Sequence, residues 1–295
     1  MRARAPGKLV LSGAYAVLDG APALVTAVDR FVLADASRAA ERVTPEVRAA
    51  LGDAPAPWFD ASALREGDEK LGLGSSAAIL VASLAARELA RGSRTDGELA
   101  EAVLRPALAA HALAQGGGSG VDVAAAAYGG TLSYRITPHE PTVTRVTLPR
   151  AVVVETWWSG RPAATSDFVG RVRALRERDP EDYATLMDAQ SSAALRAERA
   201  VSTGDAVGFV SALHAQRAAL AALGRVAGVP IVTPEAERLA SRAAPAAVLP
   251  AGAGGGDVLL HVGFEPSAPE FRELAASLGH RLLALVLGAR GVHAE

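Results

Sequence analysis

The stretch GDEKLGLGSSAA, residues 67–78, combines residue types that suit the binding of an anion. Glycines let backbone N–H groups approach a phosphate closely, serine hydroxyls suit a phosphate oxygen or a hard cation, and Lys70 adds an ammonium. The residues that follow, ILVASLAAREL, are mostly apolar and predict a buried helix with a serine available as its N-cap. Because the dipole of such a helix favours negative charge at its first turn, the stretch predicts a phosphate site.

Two known nucleotide-binding patterns and a purely structural interpretation compete with this prediction. A dinucleotide fingerprint directly follows an apolar strand, whereas LREGDEK precedes GLGSSA here. The P-loop pattern, G-x-x-x-x-G-K-[ST], has no match. A glycine turn with a serine N-cap is also common as a structural feature alone. The choice therefore depends on what accompanies this stretch in the rest of the chain.

Composition limits the class of protein. The chain has 295 residues, of which 50% are hydrophobic and 21% charged, with a formal net charge of -2. This balance predicts neither a nucleic-acid nor a membrane partner, and no run of eighteen apolar residues is present. The start, MRARAPGK, does not fit a secretory signal. Cysteine is absent, which excludes thiol chemistry and makes the cytoplasm the expected location. Only Lys8 and Lys70 among thirty basic residues are lysine, and both lie beside glycine-containing turns.

The elements that must position these residues follow from hydrophobic periodicity and turn residues. The predicted strands are 8–13, 23–35, GGTLSYRI, TVTRVTL, AVVVETWW, DVLLHVGF and HRLLALVLG. The predicted helices are a buried one from Ser75, then 97–115, 164–178, 181–203, 205–224 and PEFRELAASLG. The pattern shifts from strand-rich to helix-rich near residue 150. It predicts an α+β chain with two domains, 1–150 and 151–295.

Glycine-rich motifs recur along the chain: APGKLVLSGAYAVLDG at 5–20, KLGLGSSAA at 70–78, GGGSGVDVAAAAYGG at 116–130 and PAGAGGGDVLLHVG at 250–263. In this order and spacing they resemble the GHMP kinases, the small-molecule kinases that include galactokinase, homoserine kinase, mevalonate kinase and phosphomevalonate kinase. The resemblance spans nearly the whole chain. It implies a ribosomal-protein-S5-domain-2-like N-terminal domain, a ferredoxin-like C-terminal domain, and ATP in the cleft between them.

Within that family the motifs are most similar to those of phosphomevalonate kinases. The similar segments are AHALAQGGGSGVDVAAAAYGG, WWSGRPAATS at 157–166 and the uninterrupted AGAGGGD. Mevalonate kinases usually carry a glutamate where Ala14 stands, and a metal-binding glutamate near the position of His111. The resemblance therefore implies transfer of phosphate from ATP to 5-phosphomevalonate, giving 5-diphosphomevalonate for isoprenoid precursor synthesis. The alternatives are mevalonate or another acceptor of the family, a diphosphomevalonate decarboxylase, and a homologue that binds ligand without turnover.

The resemblance also assigns roles to individual residues. Asp122 would orient or deprotonate the acceptor, although an N-cap role in the helix DVAAAAYG is an alternative. Lys8 would lower the pKa of the acceptor or stabilise charge on the transferring group, and the Pro-Gly before it and the apolar run after it disfavour a solvated lysine at a strand start. The predicted ATP-binding residues are Lys70, Gly72, Leu73, Gly74, Ser75 and Ser76, with Ser76 as the Mg²⁺ ligand.

The predicted substrate-binding residues come from two motifs and one turn: Ser119, Gly120, Arg161, Gly252, Gly254, Gly255, Gly256 and Asp257. Arg161 would anchor a phosphate or carboxylate or be a solvated turn residue, and Asp257 would contact substrate or cap its loop. The six histidines show no metal-binding spacing and are interpreted as structural or surface residues. The expected cofactors are ATP and Mg²⁺. The expected partner is a small-molecule substrate of a monomer or homodimer.

Overall fold

Strands and helices alternate along the chain in the computed structural model, which describes residues 1–163 and 165–295, and of residues 165 and 166 the backbone alone. The strands are β1 (Arg2–Ser12), β2 (Ala23–Ala39), β3 (Pro57–Asp60), β4 (Arg65–Glu66), β5 (Glu69–Lys70), β6 (Thr131–Arg135), β7 (Thr142–Val146), β8 (Val153–Trp158), β9 (Ala247–Pro250), β10 (Val258–Gly263), β11 (Arg281–Leu283) and β12 (His293–Ala294). The predicted α+β class is confirmed, since helices and mostly antiparallel strands are both abundant.

The helices are longer than the strands and several begin at clear sequence signals. They are α1 (Pro45–Leu51), α2 (Ser75–Arg91), α3 (Asp96–Gln115), α4 (Val121–Tyr128), α5 (Thr165–Arg178), α6 (Pro180–Thr203), α7 (Ala206–Ala227), α8 (Pro234–Ala240) and α9 (Pro269–Ser277). At α3, Thr95 and Glu98 form a reciprocal capping box. At α8, the Thr233 hydroxyl accepts from the Ala236 N–H, as expected for threonine before proline.

The chain divides into two compact units. The first contains residues 1–9, 25–132 and 285–295, and the second contains residues 10–24 and 133–284. Chain segments far apart in sequence therefore share a unit, and the units do not follow a single cut near residue 150. The predicted domains 1–150 and 151–295 remain a prediction.

In the first unit, neighbouring strands follow the order β12-β1-β2-β6, with β3 also paired to β2. Helices α1, α2, α3 and α4 pack with one another in the same unit. Helix α2 buries most of its residues, and five of them are alanines with no exposed surface: Ala77, Ala78, Ala82, Ala85 and Ala86. Because alanine side chains are short, neighbouring backbones approach closely, which places the start of α2 near β1.

The second unit is built on the antiparallel sheet β11-β8-β10-β9. Trp157 lies opposite Leu259 in this sheet and packs with Phe271 of α9, ring centroids 5.5 Å apart. Helices α6 and α7 pack against each other, and α7 also contacts β9. By length and composition α7 is apolar enough to cross a membrane, but a mostly apolar core helix passes the same test. Ten α7 residues, including Phe209, are buried, so the helix is weak support for a membrane span.

Several elements differ from the sequence prediction. The segment HRLLALVLG forms strand only at Arg281–Leu283, because Leu285 and the residues after it leave the second unit and join the first. Helix α7 continues to Ala227, three residues beyond the predicted end. Helices α1 and α8 and strands β3 and β9 were not predicted, since they are short and their periodicity is weak. The predicted helix start at residue 164 lies outside the described residues.

Candidate active site

The glycine–serine turn before α2 has the backbone expected of an anion cradle. Gly72 and Gly74 both have φ of 74°, a left-handed conformation that favours glycine. Gly74 is the N-cap of α2 and makes no side-chain capping bond, so the predicted serine N-cap is wrong. Ser75 and Ser76 instead form the start of the helix, where the first N–H groups have no intrahelical partner. The turn therefore presents backbone donors and two hydroxyls at a helix N-terminus.

Lys8 lies directly against this turn. Its backbone N–H donates to the Leu73 carbonyl oxygen at 2.9 Å. A Cβ on Gly74 would lie 2.9 Å from Lys8 Cε and 3.1 Å from Lys8 Cγ, so the lysine side chain runs across the bare face of that glycine. At Gly7 a Cβ would lie 2.9 Å from the Leu73 carbonyl oxygen. The two glycines thus allow β1 and the turn to touch, which brings the predicted catalytic lysine to the predicted phosphate loop.

Replacing Gly74 with alanine is expected to displace Lys8 and to lower turnover by about 10²-fold, the scale for a misplacement of about 1 Å. The matched control is Gly67→Ala, since Gly67 also has a positive φ, of 55°, but open space around a new Cβ. Both variants carry a similar backbone cost of about 1–2 kcal/mol. Steady-state kinetics and thermal unfolding of both proteins check this. Equal activity of the two variants would show that Gly74 does not position Lys8.

The second predicted catalytic residue, Asp122, lies in the first turn of α4. Gly120, with φ of 74°, is the N-cap of this helix, so the alternative of Asp122 as N-cap is wrong. The Ser119 hydroxyl accepts from the Val121 N–H at 3.4 Å. Asp122 Oδ1 accepts from the Val123 N–H at 3.0 Å, and Oδ2 remains directed elsewhere. One carboxylate oxygen is therefore held by the backbone while the other is available to a side chain.

That side chain is His111 of α3, which the sequence interpretation had treated as structural. His111 Nε2 lies 3.3 Å from Asp122 Oδ2, and the exposed fractions of the two side chains are 4% and 19%. Burial opposes a charged imidazole, but the carboxylate of Asp122 outweighs it and raises the pKa of His111. Burial likewise opposes the charged carboxylate, but His111 and Lys8 together lower the pKa of Asp122. Lys8, His111 and Asp122 therefore form one electrostatically coupled group beside the turn.

Lys70, the other predicted ATP-binding lysine, is exposed in β5 opposite Arg65. In this hairpin the two cations lie side by side near the Gly72 turn. Lys70 is exposed, whereas Arg65 is partly buried and donates to the Asp68 carbonyl oxygen. The role of Lys70 stays a prediction.

The second unit brings the remaining predicted residues together around the AGAGGGD loop. The Asp257 N–H donates to the Arg161 carbonyl oxygen at 2.8 Å, and Asp257 Oδ1 accepts from the Ala163 N–H at 3.0 Å. Asp257 has a φ of 52°, unusual for a residue other than glycine. These bonds tie the loop to the WWSGRPAATS turn through the side chain and backbone of Asp257. Substrate contact by Asp257 stays a prediction, and Ala164 of the turn lies outside the described residues.

The glycines of this loop are required by close packing. A Cβ on Gly254 would lie 2.0 Å from the Ile231 carbonyl oxygen, and one on Gly255 would lie 2.2 Å from Phe168 Cε2. For Gly256 the nearest atom would be the Arg161 carbonyl oxygen at 2.7 Å. Gly252 has open space and a φ of 140°. Sterics alone therefore explain three of the predicted substrate-loop glycines, and their contact with a substrate stays a prediction.

A small cavity of about 40 Å³ lies beside this loop and is lined in part by Arg161, Glu235 and His280. Arg161 is 78% exposed and its Nη1 lies 3.8 Å from Glu235 Oε1. Burial lowers the pKa of His280, whose Nδ1 makes no hydrogen bond within the described part of the chain. Because Arg161 already shares its charge with a carboxylate, an incoming anion would compete with Glu235 for it.

Two buried contacts that sequence reasoning missed support the first motif and the glycine loop. The Tyr15 hydroxyl donates to the Ala253 carbonyl oxygen at 2.6 Å, and burial raises the pKa of this tyrosine. The Ser12 hydroxyl donates to Gln216 Oε1 at 2.8 Å, and the Gly13 N–H donates to the same oxygen at 3.1 Å. Each contact joins residues more than 200 positions apart in sequence, so no local pattern could have indicated it.

The side chains of the structure show whether the predicted Mg²⁺ could be held. Across residues 1–163 and 165–295, no three His, Asp or Glu side chains are grouped so that they could hold a metal ion by themselves. Mg²⁺ commonly keeps several waters and binds one or two protein oxygens together with substrate phosphates. The hydroxyl of Ser76, partly exposed in the first turn of α2, fits that sparse kind of site.

Comparison with known proteins shows which kinases the chain is similar to. No family model matches the chain. The chain is 28% identical to a phosphomevalonate kinase of Streptomyces sp. (strain CL190) over 86% of its own length and 87% of the relative. It is 29% identical to a mevalonate kinase of Archaeoglobus fulgidus over 67% of its length and 72% of the relative.

The structure of Streptococcus pneumoniae phosphomevalonate kinase in complex with phosphomevalonate and AMPPNP superposes with a TM-score of 0.74. It shares 20% sequence identity, over 97% of this chain and 99% of the other. The GHMP kinase fold predicted from the motifs is confirmed. In sequence the chain is similar to a phosphomevalonate kinase and a mevalonate kinase, which supports the predicted resemblance to the GHMP superfamily.

Proposed function

We propose that this GHMP-superfamily protein transfers the γ-phosphoryl group of ATP to 5-phosphomevalonate. The observation that carries the proposal is the group formed by Lys8, the Gly72–Ser76 turn and Asp122 in one compact unit. A phosphate loop, a cation beside it and a carboxylate coupled to that cation are what a phosphoryl-transfer site requires. The similarity to a phosphomevalonate kinase along 86% of the chain supports the choice of acceptor.

In this proposal the turn holds the nucleotide. Backbone N–H groups and hydroxyls at the start of α2 bind the ATP phosphates, with Lys70 at the edge of the site. Mg²⁺ bound to ATP would supply charge neutralisation, with Ser76 as its protein ligand. Lys8 stabilises charge on the γ-phosphoryl group as it moves, because its ammonium lies over the same turn.

The acceptor supplies its own nucleophile. A phosphate monoester has a second pKa near 6, so its oxygens are anionic at neutral pH. One of these oxygens bonds to the γ-phosphorus while the bond from that phosphorus to the bridging oxygen breaks, and ADP leaves with the electron pair. Since no proton has to be removed, Asp122 would orient the acceptor and hold Lys8 in place. The substrate-side residues Ser119, Gly120, Arg161 and the 252–257 loop belong to this proposal.

Mevalonate is the second candidate acceptor. The lowered pKa of Asp122 keeps its carboxylate ionised, and an ionised carboxylate beside a lysine suits the removal of a proton from an alcohol. The similarity to a mevalonate kinase over 67% of the chain also favours this candidate. A cytoplasmic location and a monomeric or homodimeric state remain expectations.

The deciding experiment measures ADP release with Mg-ATP and either 5-phosphomevalonate or mevalonate, with product mass confirmed. We expect turnover of phosphomevalonate at a kcat/KM at least about tenfold above that for mevalonate, a difference of about 1.4 kcal/mol. A preference for mevalonate would overturn the proposed acceptor. ATP binding without turnover of either compound, or of a wider panel of GHMP acceptors, would indicate a ligand-binding homologue instead.

A further inference from the structure

We propose, on the basis of the proposed function, that His111 is a specificity-determining positioning residue that cancels the charge of Asp122 so that an anionic acceptor can approach Lys8. His111 does not touch the reacting atoms in this role. It acts through Asp122, and its consequence is a preference for a phosphate over an alcohol as acceptor.

The contact is specific in geometry. His111 lies near the end of α3 and Asp122 lies in the first turn of α4, and the glycine run 116–118 is part of the connection between them. His111 Nε2 lies 3.3 Å from Asp122 Oδ2. A Cβ on Gly118 would lie 3.9 Å from His111 Nδ1, so this loop passes over the opposite side of the ring. The imidazole is therefore enclosed, and its Nε2 lies within ion-pair distance of the carboxylate without an aligned hydrogen bond.

The charges around the imidazole come from three other elements. Asp122 of α4 and Glu46 of α1 favour the protonated ring, and Lys8 of β1 opposes it. Glu46 is buried and accepts a 3.3 Å hydrogen bond from Gln115 Nε2 on the same helix as His111. With His111 protonated, these four side chains sum to zero, whereas with a neutral imidazole they sum to one negative charge.

Helix α2 and strand β12 also pack on α3. Glu88 of α2 pairs with Arg91 and Arg94, and His293 Nδ1 of β12 contacts the Gly291 carbonyl oxygen. Arg87 of α2 lines a groove beside Ser37 and Arg38, and its buried Nη1 makes no hydrogen bond within the described part of the chain. The charge state of His111 is therefore set chiefly by Asp122, Glu46 and Lys8.

This charge matters more for one acceptor than for the other. An unpaired carboxylate repels a dianionic phosphate placed between it and Lys8, because like charges in a partly buried site are weakly screened. An alcohol is neutral and is not repelled, and it gains from a carboxylate that is free to accept its proton. Pairing Asp122 with an imidazolium therefore favours the phosphate acceptor.

The test is the variant His111→Gln, assayed with 5-phosphomevalonate and with mevalonate from pH 5.5 to 9. We expect kcat/KM for phosphomevalonate to fall by roughly tenfold or more, the factor of one pKa unit of electrostatic interaction, while the value for mevalonate stays within about twofold. For the unaltered protein, kcat/KM for phosphomevalonate should decline as pH rises through the raised pKa of His111. In His111→Gln this alkaline decline should disappear.

The matched control is His261→Gln. His261 is another buried histidine, with Nδ1 3.7 Å from Glu155 Oε2, but it belongs to β10 of the second unit, whereas Lys8, His111 and Asp122 belong to the first. Its replacement should leave the ratio of the two acceptors and the pH profile unchanged. If His111→Gln lowers kcat/KM equally for both acceptors, or for neither, His111 has only a structural role and the inference is overturned.

The two proposals fail in different ways. Absence of phosphomevalonate turnover by the unaltered protein overturns the proposed function, whereas turnover with an unchanged acceptor ratio in His111→Gln overturns the role of His111 alone. If His111→Gln folds poorly, a second measurement tests the inference without it. This measurement is an NMR titration of the histidines in the unaltered protein and in Asp122→Asn. A His111 pKa that is not raised, or that is unaffected by Asp122→Asn, contradicts the inference.

Discussion

Replacing Lys8 with methionine is expected to lower kcat/KM for phosphoryl transfer by about 10²–10³-fold, the range for loss of one preorganised group that stabilises transition-state charge. The reason is geometric, since the side chain of Lys8 runs across Gly74 at the centre of the predicted phosphate loop. Methionine keeps most of the apolar length of lysine and removes the ammonium. Steady-state kinetics with Mg-ATP and 5-phosphomevalonate, with thermal unfolding in parallel, measure the effect.

A matched control for Lys8→Met is Arg91→Met. Arg91 is an exposed cation at the far end of α2, where it pairs with Glu88 at the surface. Such a pair contributes about 0–1 kcal/mol to stability and nothing to the turn. We expect unchanged kinetics for Arg91→Met. A loss of less than about threefold for Lys8→Met, with the fold intact, would mean that this lysine does not act on the transferring group.

The largest effect on stability is expected for Gly129→Ala. Gly129 follows α4 with φ of 65°, and a Cβ there would lie 2.0 Å from the Gly291 amide nitrogen and 2.6 Å from the Ala289 carbonyl oxygen. With a ψ of -168°, Gly129 has a backbone conformation that is essentially restricted to glycine, so an alanine there costs about 1–3 kcal/mol, and overpacking adds about 1–3 kcal/mol. Because the obstructing atoms are backbone, which cannot rotate away, we expect the upper part of this range in chemical denaturation.

Gly116→Ala is the control for an alanine at a positive φ that meets no other atom. Gly116 follows α3 with nearly the same φ, 64°, but a Cβ there would meet no atom within 4 Å. Gly116 has a ψ of 33°, in the left-handed helical region, whereas Gly129 has a ψ of -168°. The two variants therefore differ both in backbone cost and in the clash, and the free energy of unfolding should fall by at least about 1–3 kcal/mol more in Gly129→Ala. Equal losses in the free energy of unfolding would indicate that the C-terminal segment does not pack closely against the end of α4.

Much of the fold followed from local patterns. Runs of β-branched residues predicted β1 and β2, and the buried α2 followed from its apolar residues on nearly all sides. The least successful prediction was HRLLALVLG, whose residues are apolar enough for a strand but pass from one compact unit to the other. Hydrophobicity alone does not tell which unit a segment joins, so strand length was overestimated there.

The candidate site was predicted in part. Lys8, the Gly72–Ser76 turn and Asp122 came from motifs, and the structure places them in one unit. His111 was assigned no role because a single histidine without metal-ligand spacing is usually a core residue. The AHALAQG segment contained the only sequence signal, through its resemblance to one kinase subfamily. The pairing of His111 with Asp122 depends on the positions of α3 and α4 in the folded chain, which the sequence motifs do not give.

The sequence by itself determined the residues with special backbone needs, the helix and strand periods, and the resemblance to the GHMP kinases. These are properties of short segments, since positive φ at Gly74 and burial along α2 depend on residues close in sequence. The tertiary structure decided which side chains share an environment. The pKa of His111, the contact of Lys8 with Gly74 and the bonds that hold Asp257 all depend on distances between segments far apart in sequence, and those distances are fixed by packing of the whole unit.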